Sequence, residues 1–314
     1  MTLRTGSLPT ADQLRPGQQL TAKLMLDPEL TSAVTTALGD DAVVNGELLG
    51  GAAALHVLVA GGTLISHQVV GNTWIGPTRL LGYPVVGSTV SVHSQVLAVG
   101  PVIVVDGEPA RRVLVSGTWR NDAGQLLLTQ RRVSVVPMTD PEMPAPAPLP
   151  GWAPVELVDP SSGALRRSAA AGLAARAARV GPALGAGMLE AATLALTGVH
   201  REPRVARDGR LVVLGGMIWS LAHQGLEQLL GQRCELLGWD AATHVRPVLE
   251  ADVLLVNLEN RPDNLENRPD NESAQPSGEP TTRDRQPCYE VSVWAERALR
   301  PVHVLTWQPV VKGK

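Results

Sequence analysis

A pair of glycines opens an amphipathic helical pattern twice in this chain. Residues 215–231 read GGMIWSLAHQGLEQLLG, and a shorter version, GGTLISHQ, occupies residues 61–68. In the longer copy Ile218, Leu221, Ala222, Leu226 and Leu229 recur at the spacing of a helix with one buried face. The first N–H groups of a helix have no partner inside it, and the dipole makes that end favourable to a partly negative oxygen. Glycine lacks Cβ and lets such an oxygen come close. The pattern predicts a helix buried along one side and open to a ligand at its start.

The surrounding sequence repeats too. Residues 33–38 (AVTTAL) precede the first Gly-Gly and residues 191–196 (AATLAL) the second, with four of six positions identical. Alternating apolar runs follow each helix. Residues 89–98 put Val90, Val92, Ser94 and Val96 on one face and Ser91, His93 and Gln95 on the other. Runs at 112–119 and 126–136 flank a hairpin turn, NDAG, at 121–124. The second half supplies runs starting at 252, 289 and 301. A repeat of this length reads as a duplicated domain, not a solenoid unit. The predicted division is an N-terminal domain over 1–137, a proline-rich linker over 138–162 and a C-terminal domain over 163–314. An insertion near 260–287 carries LENRPDN twice in tandem and is expected to be a disordered loop. The Ala- and Arg-rich residues 164–180 are expected to be helical.

Composition narrows the function. A net charge of −3 offers no electrostatic footprint for nucleic acid or an anionic membrane surface. No run of about 20 apolar residues is present, so no transmembrane helix is expected. The opening residues lack the apolar core of a secretory signal, so a cytoplasmic protein is expected. Cys234 and Cys288 have no metal-ligand spacing and read as free thiols. With Phe absent, Leu, Val and the seven Trp must fill the core. No metal constellation, P-loop, dinucleotide fingerprint or nucleophile elbow is recognisable in the sequence.

A helix wrapped by an antiparallel sheet, duplicated in one chain, resembles the double hot-dog fold, an α+β architecture. The sequence is most similar to the MaoC-like enoyl-CoA hydratases and dehydratases, nearest the mesaconyl-CoA (2-methylfumaryl-CoA) hydratase group. The residues that carry this are RLVVLGGMIWSLA at 210–222, THVRP at 243–247 with ADV at 251–253, TGVH at 197–200 and GSTV at 87–90. The family motif pairs an Asp or an amide with a His five residues later. Here Ala195 precedes His200 by five, while the first half keeps Asp40 and Asp41 but has Asn45 in the place of the His.

The resemblance implies a hydro-lyase acting on a 2-enoyl-CoA, with coenzyme A as part of the substrate and no other cofactor. Hydration needs a base for water, a proton for Cα and donors for the enolate-like oxygen. His200 is the expected base, and the N–H groups of Gly216 and Met217 are the expected oxyanion donors. Asp40 would share or orient the proton, and Gly215, Trp219 and His244 would contact substrate. A hot-dog thioesterase and a catalytically degenerate acyl-thioester binder remain open as alternatives. Two hot-dog units can form the usual two-fold pair within one chain, and a homodimer also remains open.

Plainer roles compete for the same residues. His200 in a polar loop reads as a surface residue, and Gly215-Gly216 as a close helix–strand contact. Asp40-Asp41 reads as a turn, and His56 and His93 as structural residues. His223-Gln224, repeated as His67-Gln68, falls on the polar side of its helix. Arg111-Arg112 and Arg131-Arg132 read as strand-edge solubility devices or as partners of coenzyme A phosphates.

Overall fold

A computed structural model describes residues 10–29, 32, 43–44, 47–48, 69, 71–151, 177–181, 210–260, 289–297 and 301–313. In the N-terminal half the strands are β1 (Gln19–Met25), a small hairpin of β2 (Val43–Val44) and β3 (Glu47–Leu48), β4 (Gly71–Ile75), β5 (Thr78–Leu80), β6 (Thr89–Val105), β7 (Glu108–Arg120) and β8 (Leu126–Pro137). The C-terminal half holds β9 (Ala178–Val180), helix α1 (Gly215–Leu230), β10 (Cys234–His244), β11 (Val253–Asn260), β12 (Tyr289–Glu296) and β13 (Val302–Gly313). All the strands except β2 and β3 join one eleven-stranded antiparallel sheet.

Strand order carries the duplication. The first half runs β1-β6-β7-β8-β4, and the second, read from its own edge, runs β9-β11-β12-β13-β10. In each, the second main strand of the half pairs beside the last, so β4 and β10 meet at the centre. Two copies of one topology thus abut through equivalent strands.

Local chemistry explains the strands. Val90, Val92, Ser94 and Val96 are buried along β6 while His93 is exposed, as the alternation requires. The NDAG turn closes with Gly124 N–H donating to the Asn121 carbonyl at 2.9 Å and the Gln125 N–H to Asn121 Oδ1 at 2.9 Å. β6 and β7 extend beyond the predicted runs to a two-residue Asp106-Gly107 turn, with φ of 54° and 89° at its centre. Both values are positive, which suits the mirror-image turn that matches strand twist.

Helix α1 buries Met217, Ile218, Trp219, Leu221, Ala222 and Leu226, and each large side chain contributes roughly 1.5–3 kcal/mol. Gly231, left-handed at φ 68°, ends it. The close helix–sheet approach is made at Gly225, not at the Gly-Gly pair. A Cβ at Gly225 would lie 2.6 Å from Val256 on β11. Trp119, Trp219, Trp239 and Trp307 are among the largest fully buried side chains, filling the volume that Phe would otherwise take.

One expectation changes. Residues 178–180 are strand β9, paired with β11, and not the end of a helix. The proline-rich stretch is attached over its described part: Met138 is buried, and the Leu149 N–H donates to the Leu97 carbonyl at 3.1 Å. The tandem repeat contributes Leu258, Glu259 and Asn260 to β11. The rest of the insertion lies outside the described residues, as do the first Gly-Gly segment and the paired motifs at 33–38 and 191–196.

The seam between the halves is tight. Gly238 in β10 lies opposite Arg79 of β5 with φ 144°, and a Cβ there would overlap the Thr78 carbonyl oxygen. Gly238→Ala is therefore expected to destabilise the protein by about 3 kcal/mol, read as a lower urea midpoint.

Candidate active site

The start of α1 is built to leave its donors unclaimed. Its N-cap is Leu214, which has no side-chain acceptor to offer. Among the described residues, no hydrogen-bond acceptor meets the N–H of Gly215 or of Gly216. Met217, expected as the second oxyanion donor, instead gives its N–H to the Leu214 carbonyl at 3.0 Å. The available pair is shifted by one residue, to Gly215 and Gly216.

His244, the last residue of β10, covers this end of the helix. A Cβ on Gly215 would come to 3.4 Å from its Cε1 and Nε2 atoms. Trp219 Nε1 donates to His244 Nε2 at 2.9 Å, with the two rings within 8° of coplanar. An indole nitrogen can only donate, so Nε2 carries no proton and Nδ1 does. Burial pushes the His244 pKa down to about 4. The ring is neutral at ordinary pH, with its one proton on Nδ1. Trp219 is itself fixed by Trp239, edge-on at 4.7 Å, and by Trp307, stacked at 6.4 Å.

The loop after His244 is tied down by a residue that sequence reasoning did not single out. Asp252 is 2 % exposed; its Oδ2 accepts the Leu249 N–H at 2.9 Å and Arg297 Nη2 at 2.8 Å, and its Oδ1 accepts Arg210 Nη1 at 3.2 Å. The isolated bridge between Val212 and Leu249 joins this loop to the chain entering α1. One carboxylate therefore holds both the loop after His244 and the approach to Gly215. Its signal in the sequence was the ADV motif, which pointed to the strand and not to the side chain.

Gly215, Gly216, Met217, Trp219 and His244 come together, whereas His200 and Asp40 lie outside the described residues. His223, expected on the polar side, is buried, edge-on to Trp307 and 3.5 Å from Cys234 Sγ. His223, Glu227 and Cys234 place three potential ligand atoms within 4.8 Å of one another, the one such group among the described residues. Two residues one turn apart on the helix and one at the start of the next strand create this cluster, which the sequence spacing of the two cysteines does not announce. Glu227 also accepts the Cys234 N–H at 2.9 Å. No described helix is long and apolar enough to cross a membrane.

This architecture is a double hot-dog fold. A conserved hypothetical protein of Mycobacterium tuberculosis, described as having that fold, superimposes with a TM-score of 0.69 at 21% identity, covering 99% of this chain and 100% of its own. A putative MaoC domain dehydratase from Chloroflexus aurantiacus gives 0.64 at 18% identity, covering 100% and 99%. A MaoC-like dehydratase from Phytophthora capsici gives 0.52 at 7% identity, covering 94% and 96%. No protein-family model and no curated protein sequence matches the chain.

The His244 geometry has a pH consequence. A depressed folded-state pKa means that the unfolded chain binds a proton below pH 6.5 that the folded one refuses down to about pH 4. Stability from this residue is complete above pH 6.5 and is lost as pH falls through that window, at up to about 1.4 kcal/mol per pH unit. Nitrogen-detected NMR at pH 5.5 should find His244 neutral with its proton on Nδ1, and His244→Phe should flatten the acid limb of the urea-midpoint curve.

Proposed function

We propose that the protein is a hydro-lyase that adds water to, or removes it from, a 2-enoyl-CoA thioester. The observation that carries this is the start of α1: two backbone donors without an acceptor among the described residues, an apolar N-cap, and a neutral imidazole over the first glycine. Such a cluster suits an oxygen that gains negative charge during reaction, and one well-placed donor is worth about 3 kcal/mol. The similarity in fold to MaoC-like dehydratases supports the same reaction class.

In the hydration direction, a base takes a proton from water while the water oxygen bonds to Cβ. The Cα–Cβ π electrons move toward the thioester carbonyl, whose oxygen becomes enolate-like. Gly215 and Gly216 N–H hold that oxygen, beneath the neutral His244 ring. The enolate then collapses as Cα takes up a proton. Our reading assigns the base to His200, with Asp40 orienting or sharing the proton. The mesaconyl-CoA hydratase resemblance extends the proposal to the acyl group and rests on the sequence motifs at 210–222, 243–247 and 197–200.

Purified protein incubated with mesaconyl-CoA and crotonyl-CoA should lose enoyl absorbance without releasing thiol. Thiol release would instead make it a thioesterase, and binding without either signal would make it an acyl-thioester binder. His200→Ala should lower kcat by at least about 100-fold with the melting temperature unchanged. Gly215→Val, which places methyl groups between the helix start and the His244 ring, should lower kcat by about the same factor. Full activity in the His200 variant would remove that residue from the mechanism.

A further inference from the structure

The far end of α1 carries a second cluster, built by the helix period and a tight turn. His223 and Glu227 are four residues apart and lie on one side of the helix. Gly231, left-handed at φ 68°, stops the helix, and β10 begins three residues later at Cys234. The reversal brings Cys234 back beside the helix. Its Sγ is 3.5 Å from His223 Nε2, and its N–H donates to Glu227 Oε1 at 2.9 Å. Glu227 is twelve residues beyond Gly215, about 18 Å along the helix axis. The cluster therefore stands apart from the thioester site.

The three side chains offer an imidazole nitrogen, a carboxylate oxygen and a thiol sulfur, all within 4.8 Å of one another. Zinc bonds of about 2.0–2.3 Å in a tetrahedron put ligand atoms about 3.3–3.8 Å apart. The His223–Cys234 pair already has that separation. Glu227 reaches the third position by rotation of its side chain. Its Oε2 accepts Arg233 Nη1 at 3.3 Å, but the Arg233 side chain is 61 % exposed, so breaking that ion pair costs little. Oε1 can keep the Cys234 N–H, the kind of outer bond that orients a ligating carboxylate. His223 and Cys234 are buried, and Trp307 closes edge-on against the His223 ring. The way in is past Glu227 and Arg233. A thiolate and a carboxylate together carry two negative charges, which a divalent cation cancels, and buried charges need such a partner. Thiolate with imidazole selects zinc over magnesium or calcium.

The geometry points to a zinc site at His223, Glu227 and Cys234 that fastens the end of α1 to the start of β10. Water completes the tetrahedron. Cys234 ligates as the thiolate, so uptake of the ion releases the thiol proton to solvent. The unfolded chain does not hold the three groups together, so the ion favours the folded state by mass action. The site is independent of the reaction proposed at the helix start, and either can fail without the other.

The whole untagged chain, kept reduced and stripped with EDTA, is titrated with Co²⁺ and then with Zn²⁺. It should take up one Co²⁺ per chain and develop a thiolate-to-cobalt charge-transfer band, with visible absorption of tetrahedral strength. Zinc should erase both and raise the melting temperature by several degrees. Cys234→Ser should lose the charge-transfer band and the zinc-dependent rise. Its cobalt affinity should fall by more than the roughly 10–100-fold that loss of an outer-shell partner costs. Glu227→Gln, at the more exposed edge of the cluster, should melt close to wild type without metal, keep the band and bind cobalt at least about tenfold more weakly. Cys288→Ser should behave as wild type. A wild type without the band, or a band that persists in Cys234→Ser, would overturn the site and leave His223 and Cys234 as a packed pair in the core. Loss of the band in Cys288→Ser would overturn it as well, because the thiolate would then lie elsewhere. If Cys234→Ser does not fold, Glu227→Gln decides: unchanged cobalt affinity in that variant would overturn the three-ligand site.

Discussion

The pairing of β4 and β5 with β10 is the constraint on which the rest depends. Without it the chain would be two separate sheets, each with an exposed edge. With it, the strands of both halves form one continuous sheet. The contacts at this line are specific: Arg79 donates to the Trp239 carbonyl at 3.1 Å, and Tyr83 OH to the Leu236 carbonyl at 3.0 Å. Both reach from the first half to the backbone of the second. Gly238 is needed there because the strands pass too closely for any side chain. A side chain on β8 is thereby set at a fixed spacing from one on β10.

The geometry of the helix start is set by what surrounds it. An apolar cap leaves donors unspent, and a tryptophan sets the tautomer of the histidine above them. That tryptophan is held by two others from β10 and β13. Asp252 then anchors the loop on one side and the approach to the helix on the other. The Gly215 and Gly216 donors are thus held in place by the fold itself, the preorganisation that the proposed reaction would need.

Much of the fold was legible in the chain. The valine alternation in β6, the NDAG hairpin and the stripe in α1 each have a short-range cause, so sequence periodicity is enough to place them. The doubled architecture was legible through the repeated order of elements more than through identity. Other features are properties of pairing. β9 is three residues long and is a strand because β11 lies beside it; its Ala-rich context points the other way. His223 is buried because β10 and β13 close over the side of α1 that periodicity assigned to solvent. At the site, Gly215, Gly216 and His244 were visible as types in a motif. The diversion of the Met217 N–H and the anchoring by Asp252 depend on the turn geometry and the loop path. The burial of Arg132 on β8 is set by strand pairing, which a sequence does not display.

In the joined sheet, Arg132 of β8 and Trp307 of the equivalent strand β13 end one row of paired residues that runs through Ile75 and Ala242, and this has a wider implication. In an assembly of two identical subunits, any residue placed on one side of the axis is imposed on the other, so a cation facing the indole of its own counterpart is unattainable. Covalent fusion of the copies lifts that obligation. One half can keep an aromatic side chain at a position where its twin carries a cation, so the two copies are free to diverge residue by residue.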